Sequence, residues 1–514
     1  MRKAFQFKLP TIVKNNVGYI AFVALISLLY GVFFTFSDFY GTPFDDIKDL
    51  IILSLQWWVV VVATFGLLWL LSVNKYIFAV CFPLLTVISS ILAYFRYTAR
   101  VSLTPMAIDL TLVNDARTSM DVVSPMLIVC MLTALPASLI AVVYRLRRVH
   151  LSHAWLHLMM SVALITVFDR VWMLSNPVQQ RIPYNVFYAW KDYWENRREI
   201  EDVRPVFGGK TACASDSLTV VFVLGESLRA KNMQINGYER ATTPFLCQEK
   251  NAVSLPHIAA QYGVTHLSVP YILTRANPQN PDRAYSERSF VSLMKQAGYR
   301  TTWIANQESV STFIYFMKEC DSLIYVNSGK SLYVLDKWLD ADMLPAFDET
   351  LKRNDNRNFI LLHTIGSHWY YNSHFPDSMA PYQPVLKSKV ISSNTHDEMR
   401  NAYDNTIVYS DYFWHQLFNR LRHRPAILIY LSDHAECMGE DGLYTHGTDH
   451  PALYKTASFV WFSDTYARRF PKKVEALQKN KNRKYNASFL FHSILDAADI
   501  RSPYIQAHEN IFQP

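Results

Sequence analysis

No dense block of lysine and arginine occurs in this 514-residue chain, although its formal net charge is +7. The positive charge is spread out, which excludes the footprint of a nucleic-acid binder. No Cys-x-x-Cys pair occurs among the six cysteines, so the thiolate spacing of a structural zinc site is missing. There is no internal repeat and no low-complexity tract, which sets repeat architectures aside. No small-x-small cleavage site follows the first apolar run, Val17–Phe36. That run is therefore expected to be a retained anchor rather than a signal peptide.

Apolar runs, by contrast, are plentiful in the first third of the chain. Val17–Phe36, Leu50–Val73, Tyr76–Phe95, Pro125–Tyr144 and Trp155–Leu174 each approach the length needed to cross a bilayer, about 20 residues. Five such runs within 175 residues argue for a multi-pass membrane domain over residues 1–175 rather than a soluble core. Arg2, Lys3, Lys8 and Lys14 precede the first run, Lys75 joins the second to the third, and Arg145, Arg147 and Arg148 join the fourth to the fifth. The first connection holds Asp38, Asp45, Asp46 and Asp49 against Lys48 alone. This alternation predicts a cytoplasmic N-terminus, and five spans would then carry everything after them to the outer side.

Residues 176–214 are expected to form an interfacial helix and linker. Trp190 and Trp194 are four apart and share a helix face, with Phe187, Tyr188 and Tyr193 nearby and Lys191, Arg197 and Arg198 interleaved. That pattern suits the membrane interface, and it equally suits a helix packed on a soluble domain. Residues 215–514 have the composition of an exported globular domain. Cys213, Cys247, Cys320 and Cys437 lie on the outer side, where an oxidising compartment favours one or two disulfides; three pairings are open.

In this domain three apolar runs each lead into acid/base or metal-binding side chains. Leu218–Leu224 leads to Gly225-Glu226-Ser227, Phe359–His363 to Gly366-Ser367-His368, and Ala426–Leu431 to Ser432-Asp433-His434. Continuous apolar runs predict strands buried on both faces of a mostly parallel sheet, and open α/β sheets bind ligands beyond the carboxyl ends of their strands. Glu226, Asp433 and His434 are the ligand types of a divalent cation. His368 and His446, in glycine-containing loops, are further candidates. Ser227 mimics a nucleophile elbow, but Arg229 stands where that motif needs glycine. A better nucleophile lies in Gly263–Pro270, where Thr265 or Ser268 would be activated by a cation; residue chemistry alone does not separate the two.

The chain resembles the bacterial phosphoethanolamine transferases, membrane members of the alkaline phosphatase/sulfatase superfamily. The resemblance rests on Val223–Ser227, Asn236–Pro244, His363–His368, Tyr403–Thr406, Ser432–Glu436 and Gly439–Gly447, which follow one another in the family's order. It implies five spans followed by an α/β alkaline phosphatase-like domain. It implies zinc held by Glu226, Thr265, Asp433 and His434, one ion at least, with Thr265 as nucleophile. His368 and His446 match outer histidines that bind a second metal or the substrate phosphate and serve as acid/base groups, and Asn114 matches a position near the lipid substrate. The implied reaction takes phosphoethanolamine from phosphatidylethanolamine, through a covalent phospho-threonine, to an envelope glycolipid or glycan such as lipid A or lipopolysaccharide core. The implied setting is the bacterial inner membrane, with the catalytic domain periplasmic.

The chain departs from the family around the nucleophile, where Tyr262-Gly263-Val264-Thr265 and Pro270-Tyr271 replace a cysteine-bearing segment, and after His368, where Trp369-Tyr370-Tyr371 replaces Gly-Pro. Those three aromatics offer ring faces to an ammonium. The alternatives are a polyglycerol-phosphate synthase of the lipoteichoic acid type, which uses phosphatidylglycerol, and a non-catalytic envelope scaffold. A true sulfatase would need an arginine two residues after Pro270, where Ile272 stands.

Overall fold

The computed structural model of the chain describes residues 11–98, 102–104, 108, 125–197, 204–307, 314–330, 336–353, 355–446 and 449–514. Contacts divide it into two compact units. One comprises Met1–Arg197 with Gly329–Val334 and Ser388–Ser393; the other comprises Arg198–Ser328, Leu335–Lys387 and Asn394–Pro514.

The first unit is helical. Among the described residues four helices are long and apolar enough to cross a membrane: α1 (Thr11–Phe34), α2 (Ile47–Val73), α3 (Lys75–Thr98) and α4 (Pro125–Arg147). The fifth run does not form one straight span. It breaks at Val171 into α5 (Ala154–Arg170) and α6 (Trp172–Gln179), bent by 92°. The apolar run is interrupted there by Asp169 and Arg170, and Val171 leaves the helical region (φ −91°, ψ 104°). Most exposed side chains of α1 and α4, among them Leu25, Phe33, Leu132 and Ile140, are apolar, as suits lipid-facing surfaces.

Helices in lipid gain little from burying apolar area against one another, so polar contacts between them matter. Tyr19 of α1 pairs with Ser72 of α2 at 2.7 Å, Tyr30 donates to Ser89 of α3 at 2.6 Å, and Trp69 donates to His157 of α5 at 3.2 Å. The buried Arg145 gives its guanidinium protons to the carbonyls of Ser72 and Val149. Helix α7 (Asn185–Arg197) buries Ala189 and Tyr193 against Leu103 and Ile108 and leaves Phe187, Trp190 and Trp194 exposed.

The second unit is built on a seven-stranded sheet. Its strands are β1 (Leu218–Gly225), β2 (Ala252–Ser254), β3 (Arg300–Ala305), β4 (Ser322–Tyr325), β5 (Arg357–His363), β6 (Ala426–Ser432) and β7 (Ser458–Phe462), in the order β2-β7-β6-β1-β5-β3-β4. Pairings from β6 through β4 are parallel, and β7 is antiparallel to both its neighbours. Every residue of β1 and β6 is buried, which explains their unbroken apolar sequence. Phe222 packs on Phe290 and Phe491 lies beyond it, while on the other face Tyr430 and Phe459 meet Trp414 edge to face. Trp414 belongs to a 26-residue helix, His396–Leu421, started by a capping box of Thr395 and Glu398.

Candidate active site

β1 and β6 are neighbours, in a register that sets Gly225 beside Ser432. The residues that follow, Glu226 and Asp433-His434, therefore emerge side by side from the sheet's carboxyl edge. Gly225 is required: a Cβ there would lie 2.2 Å from the Tyr430 hydroxyl. After β5 the chain turns at Gly366 (φ +51°), where a Cβ would meet the Glu226 carbonyl at 2.7 Å. The loop carrying His368 is thereby held against the Glu226 backbone.

One ligand atom each from Glu226, Asp433 and His434 falls within a 4.8 Å cluster. His434 Nε2 is 3.5 Å from Glu226 Oε1 and 3.5 Å from Asp433 Oδ2. Its Nδ1 lies 2.9 Å from the Ala435 carbonyl. A carbonyl only accepts, so Nδ1 carries the proton and Nε2 offers a lone pair to the cluster. Asp433 divides its work: Oδ1 accepts from Ser227 N and His434 N, and Oδ2 is buried with no hydrogen-bond partner among the described residues.

The Thr265 hydroxyl completes the cluster, 3.1 Å from Glu226 Oε2 and 3.3 Å from His434 Nε2. Two buried carboxylates, one of them with an orphaned oxygen, a bare imidazole nitrogen and a hydroxyl fit a four-coordinate divalent cation such as zinc. Burial, then the charge of Glu226, pushes Asp433 up to about 6, a strain that a cation would relieve.

Thr265 is the first residue of the helix Thr265–Leu273. Its hydroxyl thus stands where backbone N–H groups point outward and where the helix dipole favours a negative oxygen or a phosphate. Ser268, the rival nucleophile, is buried and donates to the Tyr262 carbonyl at 2.9 Å. The two hydroxyls, which residue chemistry alone leaves equivalent, thus have different surroundings, those of Thr265 matching the resemblance.

His446 and His368 form an outer tier. Their rings are 6.0 Å apart, and that of His446 is 4.6 Å from His434. Both have Nδ1 tied to an acceptor, the Glu436 carboxylate at 2.8 Å for His446 and the Trp369 carbonyl for His368. Both thus present Nε2 outward. Burial disfavours charge on His446, but the hydrogen bond and charge of Glu436 outweigh it and raise the imidazole to about 9. Burial, reinforced by His446, lowers His368 to about 4. One outer histidine is therefore a cation and the other neutral near pH 7.

Glu226, Thr265, His368, Asp433, His434 and His446 all come together here, whereas Asn114 lies outside the described residues. Several residues at the site had no role assigned from sequence. Glu436, fully buried, fixes the His446 tautomer; its signal was its place two residues after His434. Gln307 donates to Glu226 at 3.3 Å. Asp340 accepts from Ile365 N, Gly366 N and Asn306, so it holds the His368 loop. It opens a short 3-10 helix, Asp340–Met343, too brief to leave a pattern in the sequence.

The aromatic run after His368 differs from expectation. Tyr370 and Tyr371 are buried, the latter packed on Tyr403 at 5.2 Å, and only Trp369 keeps an accessible face. All six cysteines are free thiols, so none of the three disulfide pairings is formed.

The sequence profile of the family described as Sulfatase matches residues 219–500. Among curated proteins, the Kdo(2)-lipid A phosphoethanolamine 7''-transferase of Salmonella typhimurium is 31% identical over 296 residues, 54% of this chain and 51% of that protein. The chain spans about half the length of the curated relatives it matches. Among solved structures, the integral membrane lipooligosaccharide phosphoethanolamine transferase A of Neisseria meningitidis superposes with a TM-score of 0.54 at 20% identity, covering 96% of this chain and 98% of that one. The C-terminal periplasmic domain of EptC from Escherichia coli, solved as a zinc complex, gives 0.55 at 23% identity, with 60% of this chain and 90% of that one covered. These likenesses establish a fold of apolar N-terminal helices followed by an alkaline phosphatase-like domain.

Proposed function

This chain belongs to the Sulfatase family, and from that premise we propose that it is a membrane-bound phosphoethanolamine transferase using Thr265 as its nucleophile. The observation that carries the reading is the Thr265 hydroxyl at a helix N-terminus, within 3.1 Å of Glu226 and 3.3 Å of His434. Glu226, Thr265, Asp433 and His434 would hold one zinc ion. When bound, that ion supplies a Lewis acid that ionises the Thr265 hydroxyl and draws charge from the phosphoryl oxygens.

In the first half-reaction Thr265 Oγ1 forms a bond to the phosphorus of phosphatidylethanolamine as the bond to the diacylglycerol oxygen breaks. His446, cationic through Glu436, gives that oxygen its proton. The N–H groups at the start of the Thr265–Leu273 helix support the charge on phosphorus. In the second half-reaction neutral His368 takes a proton from the acceptor, whose oxygen displaces Thr265 from phosphorus, and return of that proton to His446 restores the starting protonation state. An envelope glycolipid is the acceptor class that the named relatives support, since one of them is named for Kdo(2)-lipid A. The basic residues flanking alternate apolar runs support a periplasmic catalytic domain on an inner-membrane anchor.

The test is intact-mass measurement of purified protein incubated with phosphatidylethanolamine. Wild type should gain one phosphoethanolamine, Thr265→Ala none, and phosphatidylglycerol should leave no adduct. An adduct on Thr265→Ala overturns the nucleophile, and a glycerophosphate adduct on wild type moves the protein to the polyglycerol-phosphate reading.

A further inference from the structure

Polar contacts tie five helix ends together at one end of the helical unit. Arg145, near the end of α4, donates to the Ser72 carbonyl near the end of α2 at 2.8 Å and to the Val149 carbonyl at 2.9 Å. Asn16 of α1 donates to the Ser152 hydroxyl and accepts from Ser152 N, each at 2.8 Å. Trp69 of α2 donates to His157 in the first turn of α5 at 3.2 Å. Only Asn74 separates α2 from α3, and its Oδ1 accepts from Tyr76 N at 2.9 Å. Arg145, Ser72, Asn16 and His157 are buried, so these bonds hold the connecting turns in place.

The surface over those turns is cationic. Lys75, Arg147, Arg148, His150 and His153 are all exposed there. The side chains of Lys75, Arg147 and Arg148 make no ion pair and no hydrogen bond among the described residues; Lys75 only lies over the Tyr76 ring, at 5.2 Å. No carboxylate is near enough to balance them. Every acid of residues 1–180 belongs to the α1–α2 connection, the first turn of α2, the α3–α4 connection or the last turn of α5, which are the opposite ends of the helices. From Asp49 to Val73 α2 rises roughly 36 Å, and from Ala154 to Asp169 α5 rises roughly 22 Å, at ~1.5 Å per residue. Both exceed the screening length of about 8 Å at physiological salt. Residues 1–10 add Arg2, Lys3 and Lys8 and no acid. Acceptors are scarce as well. The Trp69 N–H can only donate, so His157 carries its proton on Nε2, which is buried with no acceptor among the described residues.

Exposed Tyr76, Tyr144 and Trp155 accompany the cations. Such rings settle at the level of lipid head groups, so the cations stand beside phosphates rather than in hydrocarbon. The N-terminus of α5 opens on the same surface, and its N-cap, His153, makes no side-chain cap bond; its first-turn N–H groups add to the attraction for an anion. We infer that this end of the helical unit binds anionic phospholipid, phosphatidylglycerol in kind, with the head-group phosphate held by Arg147, Arg148 and Lys75 beside the start of α5. A phosphodiester without an ammonium supplies the charge that the surface lacks. Phosphatidylethanolamine brings an ammonium of its own, for which this surface has no carboxylate. The site uses none of the residues of the transfer reaction proposed above and stands independently of it.

The experiment is native mass spectrometry of the purified full-length protein with equal phosphatidylglycerol and phosphatidylethanolamine, with zinc content and thermal unfolding as checks on folding. Wild type should retain phosphatidylglycerol in preference to phosphatidylethanolamine, and phosphatidylglycerol should raise its melting temperature. Each cation at a head-group surface is worth about fivefold in binding, so Arg147→Gln with Arg148→Gln should weaken retention at least tenfold and Lys75→Gln alone about fivefold. Arg147→Lys with Arg148→Lys, which keeps the charge, should retain the lipid nearly as wild type does. Arg170→Gln, which removes an exposed cation at the far end of α5, should behave as wild type. Unchanged retention in the glutamine variants, an equal loss in Arg170→Gln, no preference for phosphatidylglycerol, or no retained lipid would each overturn the assignment.

Discussion

Asp433→Asn should stabilise the protein when metal is absent and abolish its stabilisation by zinc. Asp433 is fully buried beside Glu226, and its carboxyl is pushed from 3.8 up to about 6, by burial first and by Glu226 second. A carboxyl whose folded pKa is raised contributes stability that is intact below its unfolded value and lost as pH rises through about 6. The loss at pH 8 is at most about 3 kcal/mol, some two units at ~1.4 kcal/mol each. Asparagine keeps an oxygen for Ser227 N and His434 N and replaces the orphaned Oδ2 with a donor facing Glu226, so most of that cost should disappear. Zinc binding, in contrast, loses a direct ligand. Disturbing the outer partners of metal ligands already costs about 10–100-fold in affinity, so the loss here should exceed ~100-fold. The assay is thermal unfolding at pH 8 and pH 4, with chelator and with zinc, beside bound-metal analysis. At pH 8 with chelator the variant should melt several degrees above wild type, at pH 4 the two should converge, and zinc should raise wild type alone. A variant that melts lower at pH 8 with chelator, or equal stabilisation of both by zinc, would refute the reasoning.

Ser268→Ala should keep substantial transfer activity, since its hydroxyl is spent on the Tyr262 carbonyl; a dead Ser268→Ala alongside an active Thr265→Ala would reverse the assignment. Glu436→Gln removes the charge that holds His446 up at about 9. His446 loses its proton as pH rises through its folded pKa, so the alkaline limb of the activity profile should move to lower pH in this variant, and an unmoved limb would remove His446 from proton donation. For topology, a reporter active only outside the cytoplasm should be active when fused after Pro514 and silent after Arg148, and the opposite pattern would reverse the orientation.

The sheet and most of the metal cluster were legible because burial and chemistry leave marks on sequence. β1, β5 and β6 are almost wholly enclosed, so they read as unbroken apolar runs, and their ligands follow directly. Other features left no such mark. The bend at Val171 falls where Asp169 and Arg170 interrupt an apolar run, and hydropathy measures transfer into lipid, not helix direction. Asn236–Pro244 was legible as a signature, but its work was not. In the fold Tyr238, Arg240 and Asn232 converge on Asp404 at 2.8–3.0 Å, so the motif anchors the segment after Glu226 to the helix His396–Leu421. Thr265 and Ser268 illustrate the limit of composition. Two hydroxyls three residues apart differ only in which way the helix turns them.

The two outer histidines show how one pocket can give opposite protonation to identical side chains. His368 and His446 both point Nε2 outward and both are deeply set, so burial alone would leave both neutral. The difference is the partner at Nδ1. A backbone carbonyl fixes the tautomer of His368 without adding charge, while the Glu436 carboxylate fixes that of His446 and also stabilises its cation. Phosphoryl transfer in two steps needs a proton given to the first leaving oxygen and another taken from the incoming one. In the proposed reaction a cationic and a neutral imidazole with ring centres 6.0 Å apart would supply both functions.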